Sequence, residues 1–403
     1  MEVKGKVEYN FSFFVVLAII IGYFQLFRLD MFPREMMVLS RVIAGVIILL
    51  FLILKNIYRE GEEIPKNFTL PVILILLSAF TSPLIALTVY NQPYFLSVWV
   101  SYSLFFFFLF FLLHSIRIEK RALEKIIINI GLIVIGVFYL QYLIYPTRIF
   151  SEEVRMSIDR GTLRLWVPGM TFTIIAYFYY LDKFFKKNHT RYIIIALMAF
   201  SIFILQATRQ RIAALTLLTI IFLFRSKEVK SRLLITVIVG IGMVALFFSF
   251  YDLFMEMFLV TQDQATDEED NVRIRAARYF LTEFMPNNLA YILGNADGHL
   301  LTPYGMKLFT LSMVNGFYLS DIGLIGDYVR YGAIFLLGAI ILLVKLIRIK
   351  VDPRFEYLKY YIFLIILNLF TGSGTFGSPN IEIILIAYLF DLGNYKYQMN
   401  GNQ

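Results

Sequence analysis

The amino-acid sequence predicts an all-α polytopic membrane protein of about 12 transmembrane helices, with one long extracytoplasmic loop that contains short helices. Three observations carry this expectation. The chain is 59% hydrophobic and only 16% charged, with a mean hydropathy of +0.72, whereas soluble domains are about half apolar and about a quarter charged. Its apolar runs approach the roughly 20 residues that a membrane-spanning helix needs. The short loops between those runs alternate between basic and non-basic.

The runs fall near 11–27, 36–54, 68–89, 94–116, 126–145, 162–181, 191–207, 209–224, 233–256, 322–347, 357–372 and 380–392. No small-residue cleavage site follows the first, so it reads as a retained span and not a signal peptide. Lys4 and Lys6 precede it. Lys55, Arg59 and Lys66 follow the second run, and Arg117, Lys120, Arg121 and Lys125 the fourth. Lys183, Lys186, Lys187 and Arg191 follow the sixth, and Arg225, Lys227, Lys230 and Arg232 the eighth. Lys345, Arg348, Lys350 and Arg354 follow the tenth, and Lys396 the twelfth. Basic loops stay on the cytoplasmic side, so both termini are expected there. No long polar block exists outside 257–310, which predicts a single transmembrane domain over 1–403 with the long outer loop 257–321 inside it. The net charge of +8 suits loops facing anionic headgroups. Basic residues scattered among spans argue against nucleic acid as a partner. There is no cysteine, which excludes disulfides, thiol catalysis and thiolate metal sites.

Against this topology, Arg148, Arg155, Arg160, Arg164, Arg209, Arg211, Arg273, Arg275 and Arg278 fall on the outer face, where Lys and Arg should be scarce. Arg209 and Arg211 lie in ATRQRIAAL (207–215), at the edge of the eighth run. Snorkelling to headgroups is the plain alternative for either alone. Two within three residues, beside Gln206 and Thr208, favour a built site. The planar guanidinium fork makes a pyrophosphate a natural ligand. In the loop PTRIFSEEVRMSIDRGTLR, Glu152, Glu153 and Asp159 offer surface pairing to Arg148, Arg155 and Arg160. Arg164, which opens an apolar run beside Trp166, is the better candidate.

The long loop opens with TQDQATDEED (261–270). It lacks the glycine and terminal glutamate of a calcium loop, so solvated charge is the expectation and no metal is assigned. Asp270 or Asn271 is placed to cap a helix through VRIRAARYFLTEF, stopped by Pro286. On that helix Arg275 and Arg278 share a face, with Arg273 roughly opposite Arg275. The following LGNADGHLLTPYGMK reads as irregular. His299 within it is the outer-face histidine. It is either solvated or a base oriented by Asp297. In DIGLIGDYVRYGAIF (321–335), Asp327 and Arg330 are three apart and either neutralise each other or form an intramembrane site. Asp321 has no obvious local partner. No P-loop, HExxH or nucleophile elbow is present.

Together these pieces resemble the bacterial polysaccharide (O-antigen/capsule repeat-unit) polymerase and O-antigen ligase superfamily. ATRQRIAAL is similar to that family's arginine after small polar residues at a span start. NVRIRAARYFLTEFMPNNLAYILG is similar to its arginine-led loop helix followed by Pro and Gly. Gly332 stands eleven residues after Asp321, where the family has a histidine eleven residues before a glycine. Asp321 in that place departs from the ligase branch and fits the polymerase branch better.

The resemblance implies a GT-C-like membrane glycosyltransferase of the bacterial inner (plasma) membrane that needs neither metal nor cofactor. It would polymerise lipid-linked oligosaccharide repeat units at the outer face, with undecaprenyl pyrophosphate as leaving group. The implied partners are the undecaprenyl-pyrophosphate-linked glycan, membrane lipids and a chain-length regulator. Arg209 and Arg211 would stabilise the departing diphosphate, with Arg164, Arg273, Arg275 and Arg278 as further pyrophosphate ligands. Asp321 would take the acceptor proton, with His299 in reserve. Trp166 and Tyr304 are candidates to stack on sugar rings. The alternatives are an O-antigen ligase and a lipid-linked oligosaccharide flippase. A transporter would be expected to show internal repeats, and none is visible.

Overall fold

The computed structural model describes residues 2–54, 66–159, 162–225, 271–370 and 381–401. The ninth predicted span at 233–256, the acidic tract 263–270, Arg160, and the loops carrying Arg59, Lys227 and residues 372–379 lie outside the described residues. In chain order the helices are α1 (Glu2–Tyr23), α2 (Arg34–Leu54), α3 (Thr69–Tyr90), α4 (Tyr94–Val100), α5 (Tyr102–Ile116), α6 (Lys120–Ile144), α7 (Thr171–Lys187), α8 (Thr190–Leu205), α9 (Arg209–Arg225), α10 (Val272–Thr282), α11 (Asn288–Leu293), α12 (Pro303–Asn315), α13 (Leu324–Arg348), α14 (Tyr357–Leu367) and α15 (Ile381–Gly401). A hairpin of β1 (Met156–Asp159) and β2 (Thr162–Leu165) stands between α6 and α7.

Among the described residues, four helices are long and apolar enough to cross a membrane: Arg34–Ile53, Thr69–Tyr90, Lys120–Ile144 and Leu324–Arg348. The pair α4–α5 counts as a fifth if taken together, although it bends by 66°. The fourth predicted span is therefore broken rather than continuous. The break falls at Ser101, whose buried hydroxyl donates to the Ser97 carbonyl at 3.0 Å, a back-bond that bends helices.

The chain divides into two compact units, each discontinuous in sequence. The first comprises Met1–Ile47, Ile118–Asp263 and Pro353–Leu364. Here α6, α7 and α8 pack in succession, with α1 against α6. The buried face of α7 includes Phe172, Ile175 and Phe178. Where lipid is the solvent, such faces associate by close packing rather than by escape from water.

The hairpin departs from the all-α expectation and corrects the start of the sixth predicted span. Residues 162–165 pair antiparallel with β1, Met156 opposite Leu165 and Asp159 opposite Thr162. Pro168 has no N–H to donate and biases Val167 to extended backbone, so α7 begins only at Thr171. β2 is pinned to the end of α8 by Thr162 Oγ1, which donates to the Leu205 carbonyl at 2.9 Å.

The second unit comprises Ile48–Arg117, Gln264–Asp352 and Ile365–Gln403. Its spine is α3 against α13. The long loop folds onto that spine: Ala276, Phe280, Phe284, Met285 and Tyr304 bury against Ile85, Ile322 and Val329. Asn271 caps α10, its side chain accepting from Arg273 N at 3.1 Å. The stretch expected to be irregular is only partly so, because α12 starts inside it. Thr302 caps α12 by accepting from Gly305 N at 3.1 Å, and Pro303 occupies the first turn.

At the other end of this unit, α5 meets α15. His114 Nε2 lies 3.2 Å from Asp391 Oδ2, both side chains buried. Asn67 donates to Asp391 Oδ1 through its backbone N at 3.1 Å and Nδ2 at 2.7 Å. Lys345 in turn donates to the Asn67 carbonyl at 2.7 Å. His114 Nδ1 lies 2.8 Å from the Phe110 carbonyl; a carbonyl only accepts, so Nδ1 carries the proton.

Candidate functional site

In the second unit the candidate site is built where the loop crosses α13. That helix is interrupted at Gly332, with φ 76° and ψ −173°, a conformation essentially restricted to glycine. Gly294 passes directly against it: a Cβ on Gly332 would sit 2.3 Å from the Ile292 carbonyl oxygen, and one on Gly294 would sit 2.3 Å from that of Arg330. The interruption turns helix carbonyls toward the loop. Asn295 donates to the Val329 carbonyl through both N and Nδ2 at 3.0 Å, and Ala296 N donates to the Arg330 carbonyl at 2.7 Å.

That backbone docking delivers Asp297 to Arg330. Arg330 Nε lies 2.8 Å from Asp297 Oδ1, and its NH1 lies 3.4 Å from Oδ1 of the fully buried Asp327. The Tyr331 hydroxyl donates to Asp297 Oδ2 at 2.6 Å. Gln92 clamps the same loop from the end of α3. Its Nε2 donates to the Asp297 carbonyl at 2.8 Å, and its Oε1 accepts from His299 N at 2.9 Å and Thr302 Oγ1 at 2.7 Å. Tyr304 stacks on Tyr90 with ring centroids 4.1 Å apart, and its hydroxyl donates to the Ala296 carbonyl at 3.1 Å. Burial, with Tyr90 and Asp297 nearby, pushes the Tyr304 phenol well above its usual range.

Beside the ion pair opens a cleft of about 200 Å³, lined by Asp297, Arg330 and an aromatic wall that includes Phe309, Phe317 and Tyr318. The Arg330 and Asp297 side chains remain 17% and 27% exposed. Ser320 also lines the cleft, and its hydroxyl lies 3.5 Å from Oδ1 of the half-buried Asp321. Several sequence expectations are corrected here. Asp297 does not orient His299; it is committed to Arg330 and Tyr331, and His299 Nδ1 accepts from Leu301 N at 3.2 Å. Tyr304 is buried under Tyr90 and is closed to a sugar. Arg330 meets Asp327, as its spacing suggested, but holds Asp297 more closely. Arg273, Arg275 and Arg278 are all exposed on α10, whose buried residues are Ala276 and Phe280.

The first unit gathers a second group. Arg164 Nε donates to the Gln206 carbonyl at 3.0 Å. The Trp166 ring carries two guanidinium groups, Arg164 at 4.6 Å and Arg155 at 4.9 Å from its centroid. Buried Gln206 returns donor bonds to the Leu165 carbonyl and to Met170 Sδ. A tight turn through Ala207, at φ 49°, then starts α9, with Arg209 and Arg211 half-buried in its first turn. Tyr361 is an electrostatic neighbour of Arg211. The hairpin thus ties Arg164 to the connection that presents Arg209 and Arg211, at the positive end of a helix dipole. Arg148 is exposed. Of the carboxylates expected to pair within this loop, Glu153 instead meets Arg34 at 2.9 Å and Arg28 at 4.0 Å.

With these two arrangements described, comparison with known proteins adds no relative: no protein-family model, no curated protein and no solved structure matches the chain.

Proposed function

We propose that the protein is a membrane glycosyltransferase that polymerises lipid-linked oligosaccharide repeat units, with undecaprenyl pyrophosphate as leaving group. On this reading the chain spans the bacterial inner membrane about twelve times in a GT-C-like arrangement, both termini cytoplasmic. The observation that carries the reading is the hydrogen bond from Arg164 to the Gln206 carbonyl, which ties the hairpin to the connection that opens α9 three residues later at Arg209. A hydroxyl oxygen of one repeat unit attacks the anomeric carbon of the growing chain. The bond from that carbon to the diphosphate oxygen breaks, and the diphosphate leaves with the electron pair. The hydroxyl proton passes to a carboxylate, the role the sequence reading gives to Asp321. Arginines placed where negative charge grows supply the electrostatic stabilisation that is usually the largest catalytic contribution.

The test is purified protein in lipid, given lipid-linked repeats without nucleotide or metal. Wild type should lengthen them. Arg209→Ala and Arg211→Ala should fold and lose turnover by about 100-fold or more, the effect of removing one such donor. Normal polymerisation by both single variants overturns the assignment.

A second reading, transport of the same lipid, is favoured by the bent α4–α5 pair and the interrupted α13, since broken helices mark transporter sites. Flipping of labelled lipid without a product ladder would select it.

A further inference from the structure

The cleft beside α13 has a chemistry unlike that of the arginine group. Its lining carries one guanidinium, Arg330, and one carboxylate, Asp297, while the fully buried Asp327 meets Arg330 outside that lining. The guanidinium is already matched by carboxylates, so a phosphate or diphosphate would have to compete with them for it. A metal cation would have to sit against Arg330. A hydrocarbon chain would strip water from a half-open ion pair and return nothing. What remains is a neutral ligand rich in hydroxyls with an apolar face.

We propose that this cleft binds a single neutral sugar ring, its hydroxyls bonded to the Asp297 carboxylate and the Arg330 guanidinium and its carbon face laid on the aromatic wall. The hydrogen-bond inventory allows it. Each Asp297 oxygen already has one partner, Arg330 or Tyr331, and a carboxylate oxygen has room for a second. Arg330 has five N–H donors and commits Nε and NH1 to carboxylates, which leaves donors for a hydroxyl oxygen. Phe309 and Tyr318, at 42% and 39% exposure, offer open ring area. The volume of about 200 Å³ falls below the ~300–1,000 Å³ of pockets that hold drug-sized ligands, which matches one ring and not an oligosaccharide. The polar groups are held before any ligand arrives. Gln92 fixes the Asp297 carbonyl and Tyr331 fixes its carboxylate, so little ordering cost remains on binding. Calling this ring the acceptor end of a repeat unit rests on the function proposed above; the sugar site itself stands on the cleft.

The experiment uses the full chain in lipid nanodiscs, titrated separately with D-glucose, D-galactose, N-acetyl-D-glucosamine and inorganic pyrophosphate. At least one sugar should bind wild type. Phe309→Ala, at an exposed position, should weaken it about fivefold, the effect of one lost ring contact. Asp297→Asn should weaken it about tenfold or more, the effect of a lost charge-assisted hydrogen bond. Both variants should bind pyrophosphate as wild type does, while Arg211→Ala should lose pyrophosphate and keep the sugar. The proposal is overturned if none of the three sugars binds, if both cleft variants bind sugar as tightly as wild type, or if pyrophosphate displaces sugar. Sugar binding that depends on Phe309, in a protein that never lengthens lipid-linked chains, would sink the polymerase reading and leave the sugar site standing. Chain growth without sugar binding would do the reverse.

Discussion

Gly332→Ala is expected to eject the loop segment 294–297 from α13. The added methyl would sit 2.3 Å from the Ile292 oxygen and 2.4 Å from the Gly294 nitrogen. Both are backbone atoms, so no side-chain rotation relieves the clash. Keeping the native backbone also holds an alanine at φ 76° and ψ −173°, which costs about 1–3 kcal/mol. The cheaper route is for α13 to straighten through residue 332. That gives up the three hydrogen bonds from Asn295 and Ala296 to the Val329 and Arg330 carbonyls, each worth about 0.5–1.5 kcal/mol net. The total near 3 kcal/mol corresponds to about a 100-fold shift in the docked population. Native-state hydrogen exchange reads this directly: protection of the Asn295 and Ala296 amides should fall by about 100-fold, while amides in α7 of the other unit keep theirs. Unchanged protection at 295 and 296 would show that the loop is not held by the helix interruption, and the account of the site would fail with it.

The remaining predictions are simpler. Gln92→Ala removes a buried side chain bonded to Ser97, Asp297, His299 and Thr302; with unsatisfied buried groups costing about 1–3 kcal/mol each, the detergent-solubilised protein should melt well below wild type, and an unchanged transition would contradict the clamp. Asp391→Ala removes a buried carboxyl that accepts from Asn67 and faces His114, and at about 1–3 kcal/mol per buried group left unsatisfied it should lower the melting transition, with Asp391→Asn, which keeps an oxygen for Asn67, milder; equal stability of the two would remove these contacts from the explanation. Trp166→Leu takes away the ring under Arg155 and Arg164, and at about 0.5–1 kcal/mol per exposed cation–π contact it should weaken pyrophosphate binding severalfold in a titration. Tyr304 keeps its proton in the folded protein at pH values where an unfolded phenol has lost it, so folding stability should decline as pH rises past the ordinary phenol range; Tyr304→Phe should flatten that decline, and an identical alkaline slope would count against the burial argument.

The helical content and the approximate positions of the longer apolar helices are legible because apolar periodicity is a local signal. The α10 cap was legible for the same reason, Asn271 standing immediately before a helix-forming run. The start of α12 was equally visible in Thr302–Pro303, a cap followed by a first-turn proline, but the glycines and asparagines upstream obscured it. The hairpin was missed because Thr162–Leu165 is apolar enough to extend the next run, and only its pairing with Met156–Asp159 shows that it is a strand. In the sequence Asp297 reads as a companion to His299, two residues on. Its real partner, Arg330, is 33 residues away, and no spacing rule reaches that far.

The sequence by itself determined that this is a largely helical, apolar chain with arginines concentrated in a few segments, because hydrophobic period and charge need no partner to be read. Only the tertiary structure decided which charges meet. The interruption at Gly332 opens backbone acceptors that a continuous helix would have used internally. The loop fills them, and so brings a carboxylate to a guanidinium distant in the chain.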